Sequence, residues 1–274
     1  MSLALEPLSL CRSIASNEFY RSLNHFRGKV VTELMFRDFW LDGIRTATAI
    51  FQNGWYSPPE LGCAILFATG TNYQRVDFVS LRTPESWPSN CELDWENGLV
   101  YVFCSPVDRR LGEIADFTAF HYLGNDRAVT EHIAECRSVH AKILSKLQPG
   151  MTSLQFHAEC NTIVNCSNLY IEGHSNTDPA KINFGHSFTT LPVNRLTGPD
   201  LLTEEDINYL SISRRFINAI DDWRLADVRC FSVEPRLRSR SKSFLPQVSL
   251  HTIASLQGGI VRTQSDTKNI FPFE

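Results

Sequence analysis

The feature that most constrains this chain is a Pro-Gly stop set between two amphipathic runs. From Asp126 to Lys146, the residues Val129, Ile133, Cys136, Val139, Ile143 and Leu144 fall on one face of a helix, with Leu147 just beyond. Pro149-Gly150 ends that run. Thr152 then suits the N-cap of a second helix reaching Asn165, with Leu154, Phe156, Ile163 and Val164 buried. Two such helices need a sheet to cover, and strand-like segments lie on either side. Leu99–Phe103 and Ile114–Tyr122 precede them; Val228–Val233, Val248–Ala254 and Gly259–Thr263 follow. Cys63–Ala68 suits a buried strand and Val76–Leu81 its return. Further helices are predicted over 32–52 and 203–220. The pattern is α+β, with helices on one face of a curved antiparallel sheet.

A chain of 274 residues can bury a large core. Residues 33–274 read as a single domain behind an N-terminal extension, 1–32, partly helical around Asn17–Phe26. A net charge of -4 argues against a protein that coats nucleic acid. The one concentrated basic run, Arg236 to Lys242, reads as a solvated loop, with an anionic substrate group as its other use. No apolar run approaches the ~20 residues of a membrane span, and the first ten residues lack the pattern of a leader. Eight scattered cysteines without a Cys-x-x-Cys pair point to reduced thiols and a cytoplasmic setting.

The chemistry concentrates at Ile182-Asn-Phe-Gly-His186-Ser-Phe188. Gly185 permits a tight backbone turn that presents His186 at the end of an extended segment. There His186 is either a metal ligand or base, or a buried histidine bonded to a neighbour.

Five segments together resemble the pita-bread family of methionine aminopeptidase, prolidase and creatinase, over roughly residues 33–265. Asp116-Phe-Thr118 resembles the strand carrying a metal-binding aspartate. Leu147-Gln-Pro149-Gly150-Met-Thr152 matches the turn between the family's helices. Gly185-His186 resembles its Gly-His strand, and Ser232-Val-Glu234-Pro235 its Thr-Ile-Glu-Pro segment. Val248-Ser-Leu-His251, with Gly258-Gly259 behind it, falls on the last metal-binding strand and hairpin. The resemblance implies the pita-bread fold, whose two halves are related by a pseudo-two-fold.

The departures from the family set the functional expectation. Its first metal-binding aspartate falls at Cys104 or Ser105, its bridging glutamate at His251, its second histidine near Asn194, and its arginine at Ala119. What remains implies one divalent metal held by His186, Glu234 and His251, with Asp116 as a fourth ligand or base. Fe(II) is favoured, with zinc and manganese as alternatives. Asp116 and Asn194 are the candidate catalytic residues, and Arg75, Arg229 and Arg236 the candidates for a substrate carboxylate. The expected function is a non-haem iron oxygenase or oxidase acting on a small amino-acid-like or carboxylate substrate, with a homodimer as the assembly considered. The alternatives are a metal-assisted or metal-free C–N hydrolase and a non-catalytic binding module. His121, His140, His157 and His174 lack comparable partners and are expected to be surface or supporting residues.

Overall fold

The structure is a computed structural model, and it describes residues 6–56, 59–70, 72–173, 175, 177–196 and 200–265. In chain order its elements are α1 (Glu6–Phe26), α2 (Glu33–Arg45), β1 (Ala64–Ala68), β2 (Leu99–Cys104), β3 (Phe117–Tyr122), α3 (Arg127–Leu144) and α4 (Ser153–Asn165). Then come β4 (Leu169–Ile171), α5 (Glu204–Ile212), β5 (Phe231–Val233), β6 (Arg236–Ser239), β7 (Val248–Ser249), β8 (Thr252–Ser255) and β9 (Arg262–Ser265). The helix pair forms where its caps place it. Asp126 accepts from the amides of Ala128 and Val129 at 2.8 and 3.1 Å, and Thr152 closes a capping box with Gln155.

Every strand pairing is antiparallel, in three sheets ordered β1-β2-β3, β4-β6-β7 and β5-β8-β9. Among the described residues, α1 to α4 pack against these strands, and the class is α+β. β1 and β2 are buried along their whole length, so both faces are covered, as their continuous apolar runs require. Within the described residues, no helix is long and apolar enough to cross a membrane.

Four expectations change. The N-terminal stretch is a 21-residue helix, and Cys11, Ala15, Phe19, Leu23 and Phe26 join the same core as the sheets. Val76–Leu81 makes no strand; a 3-10 turn at Gln74–Val76 leads into a loop whose Phe78, Ser80 and Leu81 line a pocket. The helix expected over 203–220 stops at Ile212, because the chain must extend so that Arg215–Ile217 can bond the Gly-His segment. The basic run at Arg236 is not a solvated loop. Its first four residues are β6, where Arg238 is paired with Asp77 and Glu172 and Arg240 donates to the Leu169 carbonyl at 2.8 Å.

Candidate active site

Strand register explains how distant residues meet. The last pair of the β2–β3 hairpin is Cys104 with Phe117, so the next two residues, Ser105 and Asp116, face each other. The Ser105 hydroxyl donates to Asp116 Oδ1 and accepts from the Trp55 indole. On the other side, β5 pairs with β8 up to Val233–Thr252, and β6 pairs with β7 from Arg236–Ser249. Between those ladders, Glu234-Pro235 lies opposite Leu250-His251, joined by the Leu250 amide to the Pro235 carbonyl at 3.2 Å. The chain changes sheets here, which frees Glu234 and His251 from regular alternation.

The Gly-His segment fits between these two halves. The Ser232 amide donates to the His186 carbonyl and the Glu234 amide to the Phe184 carbonyl, each at 2.8 Å. Gly185 has φ +149, and a Cβ there would collide with the Ser232 carbonyl. No other residue fits that approach without shifting backbone.

The side chains converge. His186 Nε2 lies 3.4 Å from Asp116 Oδ2 and 3.4 Å from Glu234 Oε1, while His251 Nε2 lies 3.9 Å from Glu234 Oε2. His186 Nδ1 faces the Ser187 carbonyl at 3.0 Å, which makes it a donor and directs Nε2 at the carboxylates. Burial opposes an imidazolium at His186, but Glu234 and Asp116 outweigh it and raise its pKa. Burial also raises the pKa of Glu234, against the attraction of His186. Burial, helped by the charges of Arg12 and His186, drives the pKa of His251 well down, so that ring is neutral.

These groups line a pocket with about 140 Å³ of interior space. Its walls carry arginines laid on aromatic rings. Arg82 sits 4.0 Å from the Tyr56 ring, Arg214 4.6 Å from Trp55, and Arg236 5.1 Å from Phe78. Of the three arginines expected to bind substrate, Arg236 alone lines this pocket. Arg75 is committed to Glu33 and Arg229 to Glu113. Asn194 lies exposed on a 3-10 turn and does not line the pocket. His140 is buried in the core, His121 stacks on Phe19, and His157 packs against Phe184; His174 lies outside the described residues. Arg12, Arg82 and Arg214 are not foreseen from the sequence. Arg214 carries a weak signal, because Arg214-Arg215-Phe216 follows a helix and precedes the Asn218–Trp223 turn.

The architecture is shared with solved structures. The X-Pro aminopeptidase from Thermotoga maritima MSB8 superposes with TM-score 0.61 at 13% identity, covering 94% of this chain and 60% of that one. The prolidase from Pyrococcus furiosus gives 0.62 at 12%, covering 99% and 65%. The methionine aminopeptidase from Rickettsia prowazekii gives 0.58 at 9%, covering 94% and 96%. This is the pita-bread fold. No protein-family model matches the chain, and no curated protein matches it in sequence. The chain spans about three-fifths of the length of the X-Pro aminopeptidase and dipeptidase structures it superposes on. The oxidoreductase expectation is overturned here, because the pita-bread structures this chain superposes on are named as peptidases. Those names speak of neither iron nor a dimer.

A pita-bread fold can host a divalent metal, so the donors of this chain decide the matter. They do not fit one. Asp116 Oδ1 is taken by the Ser105 hydroxyl, where the resemblance calls for a second carboxylate. Asp116 and Glu234 supply two negative charges, and the guanidinium groups of Arg12, Arg214 and Arg236 already act on them. A dication would enter a cluster with surplus positive charge. Among the described residues, no group of three or more His, Cys, Asp or Glu side chains is arranged to hold a metal ion.

Proposed function

We propose that this pita-bread chain is a metal-independent hydrolase of C–N bonds in small carboxylate-bearing amides or peptides. The observation that carries the reading is His186 set 3.4 Å from each of two carboxylates, beneath a pocket walled by arginines. The same reading takes the sheets on the two sides of the Gly-His segment as the fold's pseudo-two-fold halves.

Each group has one task. Arg82 or Arg236 holds the substrate carboxylate, since both project planar guanidinium groups from the wall. Glu234 is part-exposed to the pocket, and its raised pKa suits a base working near neutrality. It takes a proton from water as the water oxygen bonds to the carbonyl carbon. Arg214 stabilises the negative oxygen that forms. His186, charged by its carboxylate neighbours, then gives its Nε2 proton to the leaving nitrogen as the C–N bond breaks. Proton transfer from Glu234 to His186 resets the site, and Asp116 holds the imidazolium in place meanwhile.

The test is amine release from a panel of N-acyl amino acids and dipeptides, with chelator present throughout. Turnover that survives the chelator and vanishes in His186→Ala supports the reading. Turnover that needs added metal replaces it with the metal-assisted form. No turnover, together with saturable binding of the same compounds, replaces it with a binding module.

A further inference from the structure

The N-terminal helix delivers a charged group beneath the pocket floor. Arg12 on α1 is 2% exposed, and its Nη1 donates to the backbone carbonyl of Asp116. Its position is fixed from several sides. The Trp40 indole donates to the Ala15 carbonyl at 2.9 Å, and Cys11 Sγ approaches Asp108 Oδ2 at 3.4 Å. Phe19 packs against Trp40 at 5.9 Å and Phe117 at 6.2 Å. Phe117 directly follows Asp116, so α1 grips the start of β3 immediately beside the carboxylate.

A buried guanidinium is costly unless a negative charge answers it. Burial lowers the pKa of Arg12 to about 9, with Asp116 the leading influence in the other direction, so Arg12 is a cation at neutral pH. Cys104 and Cys230 also act on it, but burial holds both thiols well above their usual range and therefore neutral. Among the described residues, the carboxylate acting most strongly on Arg12 is that of Asp116. On the pocket side of Asp116 stands His186; on the buried side stands Arg12.

We propose that Arg12 is the resident cation of this site: α1 carries in a permanent positive charge behind Asp116, in the electrostatic role a metal would fill. Arg12 is a positioning residue. It touches no substrate and holds the Asp116 backbone in place with a positive charge behind it, so that Asp116 can hold His186. The inference rests on the metal-independent reading above, and it makes α1 part of the active site's electrostatics as well as of the core.

A double-mutant cycle on the full chain tests it, using Arg12→Met, Asp116→Asn and the pair, read by thermal unfolding and by titration with Mn(II). Arg12→Met should lower Tm by about 10 °C, because it removes the cation on the buried side of Asp116 and leaves the Asp116 carbonyl without its donor. Asp116→Asn in the same background should recover at least half of that loss, and Arg12→Lys should fall between wild type and Arg12→Met. A purely packing role would give no rescue, since neutralising Asp116 fills no space. The inference is overturned if Arg12→Met unfolds at the wild-type temperature, or if the double variant is no more stable than Arg12→Met. It is equally overturned if neither variant folds. Stoichiometric Mn(II) binding by wild type, lost in Asp116→Asn, instead overturns the metal-independent reading itself, which the unfolding data leave separate.

Discussion

Two buried carboxylates in this molecule live under opposite rules. Glu33 at the start of α2 is fully buried and saturated. Its Oε1 accepts from the Phe67 amide at 2.7 Å and Arg75 Nε at 3.0 Å. Its Oε2 accepts from Arg75 Nη2 at 2.6 Å, the Ser89 amide at 2.8 Å and the Ser89 hydroxyl at 2.7 Å. Asp116 is just as buried, yet its Oδ2 has no hydrogen-bond partner among the described residues and faces His186 at 3.4 Å. The first carboxylate is locked, joining α2, β1 and the loop at Ser89. The second keeps bonding capacity in reserve, in a place open to a ligand. A saturated buried charge specifies structure, while an under-satisfied one beside a pocket is free to do chemistry.

The largest test of this contrast is on the locked side. Glu33→Ala leaves Arg75 facing a buried gap and strips two backbone amides of their acceptor. It should cost about 3–5 kcal/mol in denaturant unfolding, whereas ligand binding by the protein that remains folded should be unchanged. A loss below about 1 kcal/mol would show that the network is not a structural lock.

On the open side the effects should reverse. His186→Ala and Glu234→Gln each remove a proton carrier, which is worth about 10²–10⁴ in turnover. Stability should shift by less than about 1 kcal/mol, or rise, in Glu234→Gln, where burial opposes the charge, and should fall in His186→Ala, which leaves two carboxylates without the imidazolium between them. Loss of folding in both variants would put these residues in the same class as Glu33.

Much of the fold could be read from pattern, because period and punctuation are local. The helix–Pro-Gly–helix unit, the buried runs of β1 and β2, and the Thr152 cap depend on residues a few positions apart. The stretches that misled are those where partners far along the chain override local preference. Ile212 ends α5 because His186 needs an antiparallel neighbour at Phe216. Arg236–Ser239 becomes β6 because β4 and β7 flank it, although its composition suggests a loop. The site divides in the same way. Asp116, His186, Glu234 and His251 could be named from their short motifs. Arg12 could not, since a lone arginine in a helical stripe carries no sign of what it faces. Arg75 and Arg229 show the same limit, since they pair with Glu33 and Glu113 and do not line the pocket. Sequence shows that an arginine is present, and only packing shows that a buried glutamate has already claimed it.

A third carboxylate lies between the two extremes and can be followed by pH. Glu113 is buried, 3.1 Å from Arg229 and 3.5 Å from Cys230 Sγ. Burial raises its pKa to about 7, and Arg229 only partly offsets this. The folded state therefore holds its proton more tightly than the unfolded chain does. Its stabilising contribution is full below about 4.5 and is lost as pH rises towards 7, an effect on the order of 2 kcal/mol. His121 and His140 act oppositely. Burial lowers both to about 4, so they cost stability as pH falls below 6.5. Because the windows overlap, the useful quantity is the difference between wild type and Glu113→Gln. That difference should shrink steadily from pH 4.5 to 7, and a flat difference would mean that Glu113 is ionised throughout, locked like Glu33.

The smallest effect should come from Ser105, which joins the two kinds of behaviour. Its hydroxyl accepts from Trp55 and donates to Asp116, and Trp55 in turn lies under Arg214 at 4.6 Å. Ser105→Ala removes one small group and leaves a buried indole N–H and a carboxylate oxygen each short of a partner. Deleting one side of a buried hydrogen bond costs about 1–3 kcal/mol, and the vacated space is small enough for Asp116 to turn towards His186. Such a turn would shorten the His186–Asp116 contact and hold the imidazolium more tightly. Stability should therefore fall by about 1 kcal/mol, at the low end of that range, while turnover falls several-fold because His186 gives up its proton less readily. Asp116 would then behave more like Glu33, engaged on every side. If Ser105→Ala instead left turnover unchanged while stability fell, the reserve on Asp116 would not be what the chemistry uses, and the contrast between the two carboxylates would reduce to packing.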